Sequence, residues 1–483
     1  SSSLAFNLKS LEWTKKAVTE TDTFFWAELI YMKVLHLCHA KSIDRDKITK
    51  LLWEFMLKAY AIFPDRSMFE LLKQKYSIIF TQILTTCLEK REYCLLLELA
   101  YNWNGFRPDK QGFQEIKDKD LFLTIPNLEG AEGPIFLIKY NDEIRIVSVK
   151  SDVKLEEIME LKSKVEASWY TLVGKDVSLE FQEESILARQ QVEASKEYLS
   201  AIESFINIRE FQGMLNKLPK KTNFEYLETS WTNTAIVPVL LNNTKHTYSI
   251  TGGNEYHLIP SKIQSVLIWF DPAEDLHRAI FELEGIKKIL QKNQVDIEVI
   301  TGSECTKEGF LERYSDPKYD LIWVISHGEF NSNNPPYSDL TISKTEKITA
   351  WELQKSIPKM EKRRYLILNS CYSGCAIVRN NSMGFLGLGS SSANESQIVL
   401  GQLWFVDVLA AGVLGILTLE SLMNGESLTS SLKSSSLTMS KGNQAIITAL
   451  NTIDTELQII ERVENTSVML NLPFYSMSGV VFE

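Results

Sequence analysis

The chain has 483 residues, 44% of them apolar and 23% charged, which is ordinary for folded globular domains, and its 10% aromatics argue against general disorder. Lys and Arg total 51 against 62 Asp and Glu, giving a formal charge of −11. A general nucleic-acid binder, which needs a basic surface, is excluded. Six scattered cysteines (Cys38, Cys87, Cys94, Cys305, Cys371 and Cys375) are too few for a disulfide scaffold and fit a reducing, cytoplasmic compartment.

Ser1-Ser2-Ser3 opens no signal peptide, and the missing initiator Met is expected of a processed or truncated chain. Residues 1–107 read as helical. Ser42-Ile43-Asp44 offers capping side chains, and Ile48, Leu51, Leu52, Phe55 and Ala59 follow at helical spacing. Pro64-Asp65 interrupts the pattern, and Met68, Leu71, Leu72, Tyr76 and Ile79 resume it. A tetratricopeptide-like hairpin array and a plain helical bundle fit this region equally. Residues 108–132, with Pro108, Pro126 and Gly130, read as a linker.

Residues 133–260 begin with two strands, 135–140 and 144–149, turning at Asn141-Asp142. A charged helical stretch follows over 155–218, and 236–241 reads as another strand. From 261 to 483 the rhythm alternates. Strands are expected at 266–270, 295–301, 320–326, 365–369 and 399–405, and helices at 277–291, 305–314, 349–357 and 408–423. Apolar strands alternating with helices predict an α/β unit with a mainly parallel sheet covered on both faces. The apolar run 408–419 is too short for a bilayer, which needs about 20 residues, so it reads as a buried helix and no membrane is expected.

Two of these strands end in reactive residues: Ile325-Ser326-His327-Gly328 and Asn369-Ser370-Cys371-Tyr372-Ser373-Gly374. In open α/β sheets, sites form beyond the carboxyl ends of the strands. If the two strands are neighbours, His327 and Cys371 face one crevice. A histidine can supply the base and positive field that a thiol needs to become a nucleophile. The backbone N–H groups of Gly328 and Cys371 are candidate donors to an oxyanion. The bland alternatives are a satisfied loop histidine and a buried small apolar cysteine.

These two motifs, together with Gly401-Gln402-Leu403-Trp404-Phe405-Val406-Asp407, resemble the CHAT family, caspase-like cysteine peptidases of the clan of caspases, metacaspases and separase. The resemblance covers roughly residues 133–483. It extends to Asp271-Pro272 with Leu276, Ala279 and Glu284, to Ile348-Thr349-Ala350 with Leu353, and to Leu422, Gly425, Glu426 and Ser427. It implies a caspase-like fold, a cofactor-free Cys371–His327 dyad, and an oxyanion hole at Gly328 and Cys371. It also implies a protein substrate and a regulatory protein partner at the helical region, in bacterial antiviral defence or cell death. Asn369, where a small or apolar residue is common, and Phe405-Val406, in place of Pro-Val, depart from the family pattern.

In separase-like relatives an acidic residue near Asp407 lines the primary specificity pocket. Asp407, beside Trp404, would then select Arg or Lys. The alternative is a helix cap at the start of the 408–423 helix. The Gly- and Ser-rich segment 379–397 is either a gating loop or a plain connection. His36, Cys38 and His39 crowd one helix without a further ligand pair, so no metal site is expected. A catalytically silent scaffold that keeps the fold for protein binding is the alternative to a peptidase.

Overall fold

The structure is a computed structural model. It describes residues 23–39, 43–62, 69, 73, 76–105, 112–125, 133–173, 181–227, 235–250, 258–376, 387–466 and 468–483. The expected break at Pro64-Asp65 lies outside the described residues. Among the described residues four helices come first: α1 (Thr23–Cys38), α2 (Arg45–Ile62), α3 (Ser77–Glu89) and α4 (Tyr93–Asn104). Then follow β1 (Leu121–Ile125), β2 (Ile135–Tyr140), β3 (Glu143–Ser148), α5 (Leu155–Val173), α6 (Phe181–Phe205), α7 (Ile208–Asn216), β4 (Asn223–Leu227), α8 (Ile236–Asn242) and β5 (Thr247–Ile250).

The alternating part comprises β6 (Ser265–Phe270), α9 (Ile280–Lys292), β7 (Asp296–Thr301), α10 (Lys307–Tyr314), β8 (Leu321–Ile325), β9 (Gly328–Glu329), β10 (Asp339–Thr341), β11 (Lys347–Thr349), α11 (Ala350–Lys355), β12 (Arg364–Asn369), α12 (Leu388–Ser392), β13 (Gln397–Gln402) and α13 (Val408–Met423). It closes with α14 (Leu428–Ser440), α15 (Asn443–Ile453), α16 (Gln458–Asn465), α17 (Pro473–Ser476) and β14 (Gly479–Phe482).

The strands form one 11-stranded sheet in the order β3-β2-β1-β4-β5-β14-β13-β12-β8-β6-β7, and β9, β10 and β11 make a small separate sheet. The five strands from β13 to β7 are mutually parallel. β8, β12 and β13 are buried at every residue, and their apolar stretches 321–325, 365–368 and 398–401 suit strands covered on both faces. β14 runs antiparallel to β13 and parallel to β5, so it joins this block to the other half of the sheet.

Two readings of the sequence are corrected. Residues 236–241 form helix α8 rather than a strand. A short apolar run carries no period that separates a strand from a fully buried helix turn. The polar stretch read as a linker contains β1, fully buried and paired with both β2 and β4. Alternation along β1 explains its burial. Leu121, Leu123 and Ile125 pack into the apolar cluster of helices α1–α4, while Phe122 points into the main core on the other face. The N-terminal helices therefore cover one face of the sheet around β1.

Candidate active site

The site begins with strand register. Phe270 of β6 and Asn369 of β12 both pair with Ile325 of β8. The three carboxyl ends are level, so His327 and Cys371 each lie two residues beyond a paired position. The chain runs from β6 outward to β7 and then returns to β8 on the other side of β6. The crevice between β6 and β8 is thus a topological switch point, where open α/β sheets place their sites.

Gly328 lets the two ends approach. A Cβ there would lie 2.4 Å from the Cys371 carbonyl oxygen and 3.2 Å from Ser370 Oγ, a backbone clash that only glycine avoids. Thr341 N–H donates to the His327 carbonyl at 3.0 Å. Antiparallel alternation then turns the Gly328 N–H, one residue on and paired with Leu340, away from β10.

His327 Nε2 lies 2.9 Å from Asp275 Oδ1, and both side chains are about half exposed (49% and 58%). A histidine whose Nε2–H faces a carboxylate keeps Nδ1 as the basic nitrogen. Asp275 is held by the turn after β6. Asp271 there adopts φ +45°, and its Oδ1 accepts the N–H groups of Asp275 and Leu276, both at 2.9 Å. Asp271 N–H donates to the Ile325 carbonyl at 3.0 Å, so the turn is fastened to the end of β8. The sequence reading missed Asp275. Its signal was an acidic residue in the loop after the first strand of an alternating block.

Cys371 sits in a tighter and drier place. Its partly buried Sγ lies 4.0 Å from the Val406 carbonyl. Burial pushes the thiol up to about 11, against the pull of nearby backbone groups. The turn is strained at Tyr372, with φ +56°, a left-handed conformation that costs a non-glycine residue about 1–3 kcal/mol. Tyr372 N–H donates to the Trp404 carbonyl at 3.1 Å and Gly374 N–H to the Gln402 carbonyl at 2.8 Å, which holds the turn against β13. Ser370 Oγ is buried without a hydrogen-bond partner among the described residues.

Asp407 is the N-cap of α13, with Oδ1 accepting from Leu409 N–H at 2.8 Å and Ala410 N–H at 3.1 Å. Burial raises its carboxyl, while those two N–H groups and Arg278 oppose the rise. Trp404 is fully buried, stacked on Phe474 at 5.2 Å with Nε1–H donating to the Phe474 carbonyl. Its ring is enclosed in the core. His246 is the satisfied kind of histidine, accepting Thr222 N–H on Nδ1 and facing the Leu215 carbonyl with Nε2. Residues 379–386 of the Gly- and Ser-rich segment lie outside the described residues, and 388–392 form α12. No cluster of metal-ligating side chains occurs among the described residues. No helix among them is long and apolar enough to cross a membrane.

Residues 240–455 match the CHAT domain family. The match includes the ends of β6, β8 and β12 and the cap of α13; it leaves out β14 and the strands before α8. The fold is also similar to Saccharomyces cerevisiae separase in its complex with securin. The TM-score is 0.55 at 8% identity, over 100% of this chain and 37% of that one. A second structure of that complex gives 0.50 at 10% identity, over 95% and 37%. The chain thus spans little more than a third of the separase chains it matches, and at such identity the likeness concerns the fold. No curated protein sequence matches significantly. The region similar to the CHAT family thus belongs to an α/β sheet whose fold is similar to that of separase, preceded by helices.

Proposed function

We propose that the chain is a cysteine endopeptidase, with Cys371 as nucleophile and His327 as general acid and base. The supporting observation is the level pair of strand ends, with Gly328 packed on the Cys371 backbone and His327 held by Asp275. In the reaction, His327 Nδ1 takes the Sγ proton and the thiolate attacks the scissile carbonyl. The N–H groups of Gly328 and Cys371 receive the oxyanion. The imidazolium then protonates the leaving amine, and water hydrolyses the thioester. Asp275 keeps the ring in the productive tautomer.

With the thiol raised to about 11 by burial, its proton must pass to His327 before the sulfur attacks. A protein docked on the helices α1–α4 would raise the rate by favouring the arrangement in which Sγ meets His327. The separase structures contain a protein partner, securin, which fits regulation by protein binding. Asp407, close enough to act electrostatically on Cys371, is proposed to draw a basic side chain into the primary pocket.

The test is cleavage of peptide libraries centred on Arg, Lys, Asp or Met by wild type and by Cys371→Ala. We expect Arg or Lys to be preferred and the variant to lose at least roughly a thousandfold in rate. Equal cleavage by both proteins refutes the nucleophile, and preference for Asp refutes the basic pocket.

A further inference from the structure

One carboxylate lies beneath both strand ends. Glu282 of α9 is 1% exposed, on the same helix stripe as Ile286 and Ile289. Its Oε1 accepts Trp323 Nε1–H at 2.9 Å and Asn369 Nδ2–H at 2.7 Å. Trp323 belongs to β8, which leads to His327, and Asn369 ends β12, which leads to Cys371.

The bonding continues sideways. Asn369 Oδ1 accepts from Gln402 Nε2 on β13 at 2.9 Å. Gln402 N–H donates to Ser373 Oγ at 2.9 Å, and that hydroxyl reaches the carbonyls of Leu368 and Ser370 around the Cys371 turn, at 2.7 and 2.8 Å. Helix α13 closes the chamber. A Cβ on Gly415 would lie 2.9 Å from the Trp323 ring and 3.5 Å from Glu282 Oε1.

Packing alone does not call for an acid here. A leucine would extend the apolar stripe, whereas a buried carboxyl must recover its lost hydration through hydrogen bonds. Burial raises Glu282 to about 7, and the two donors oppose that rise. The groups around it on β8, β12 and α13 (Trp323, Asn369 and Gly415) carry no charge.

We propose that Glu282 is a positioning residue, a clamp that holds β8 and β12 together and keeps the His327 and Cys371 ends level, acting through Trp323 and Asn369. This rests on reading those two residues as the catalytic pair. It also gives Asn369 a purpose, since only a hydrogen-bonding side chain there links the clamp to the nucleophile turn.

The test uses the full chain with Glu282→Leu, Asn369→Leu and Glu282→Gln, checked for folding by circular dichroism. Hydrogen exchange is followed in peptides covering 321–330 and 366–376, with 93–104 as internal reference. Kinetics use a fluorogenic peptide selected from the library by the wild type. Both leucine variants should exchange at least tenfold faster in the two strand-end peptides and not in the reference. In both, kcat should fall at least tenfold with KM within twofold. Glu282→Gln, which keeps an acceptor oxygen, should stay within threefold of wild type on both measures. If Glu282→Leu does not fold, Asn369→Leu and Glu282→Gln decide. Wild-type exchange and kcat in folded Asn369→Leu overturn the clamp, as does a Gln variant no better than Leu. If the wild type cleaves no peptide, the peptidase reading fails by itself, and the exchange arm still decides the clamp.

Discussion

The two reactive strand ends are level in the sheet yet unlike in surroundings. The His327 end is wet: its ring and Asp275 are both about half exposed, on a turn fastened by Asp271. The Cys371 end is dry: its thiol is raised by burial, and the strained Tyr372 turn is pinned to β13. In the proposed reaction the proton acceptor is thus set in place before any ligand arrives, while the nucleophile is held back. Reactivity in such a pair is governed at the cysteine, and whatever frees or realigns that turn controls the reaction.

Three measurements break or sharpen this contrast. The largest effect is expected from His327→Ala, which removes the acid–base and should lower kcat by roughly 10²–10⁴-fold in any active preparation. A loss below tenfold would mean that another group takes the proton. A smaller loss, roughly ten- to hundredfold in kcat, is expected for Asp275→Ala, because misorientation of a base is costly but an exposed ion pair is weakly held.

The subtlest test concerns the thiol itself. With its titration pushed up to about 11, alkylation of Cys371 by iodoacetamide should climb close to tenfold per pH unit between pH 7 and 9. Exposed Cys94, followed in the same sample by mass spectrometry, serves as reference. A rate at Cys371 already level at pH 7 would place its proton on His327 at rest and erase the contrast.

The parallel block was the most legible part of the fold. The strands at 266–270, 321–325 and 365–369 are continuous apolar runs between breakers, and they lie within one or two residues of where composition puts them. β4 and β5 escaped notice because four or five residues with polar members carry too little period, and β14 because an apolar run of four residues is too short to assign. β1 was hidden by flanking polar and breaker residues, although its own five residues are apolar apart from Thr124. At the site, His327 and Cys371 stood out because each follows an apolar strand. Asp275 and Glu282 did not. Asp275 meets His327 across 52 positions of sequence. Glu282 could have been suspected only as a charge on an apolar helix stripe, and Asn369 looked like a mere departure until its partner was known.

The placement of β14 has a consequence for how the molecule is made. It follows all the other strands in the chain, yet lies between β5 and β13 near the middle of the sheet. Phe482 must find Ile250 and Val399 before the two halves join. Such non-local pairing is slow, and until it happens β5 and β13 present open edges. A ribosome delivers this strand after all the others, so the nascent protein passes through a stage with two unsealed half-sheets. That stage, rather than the finished fold, is where aggregation threatens and where a chaperone would matter most.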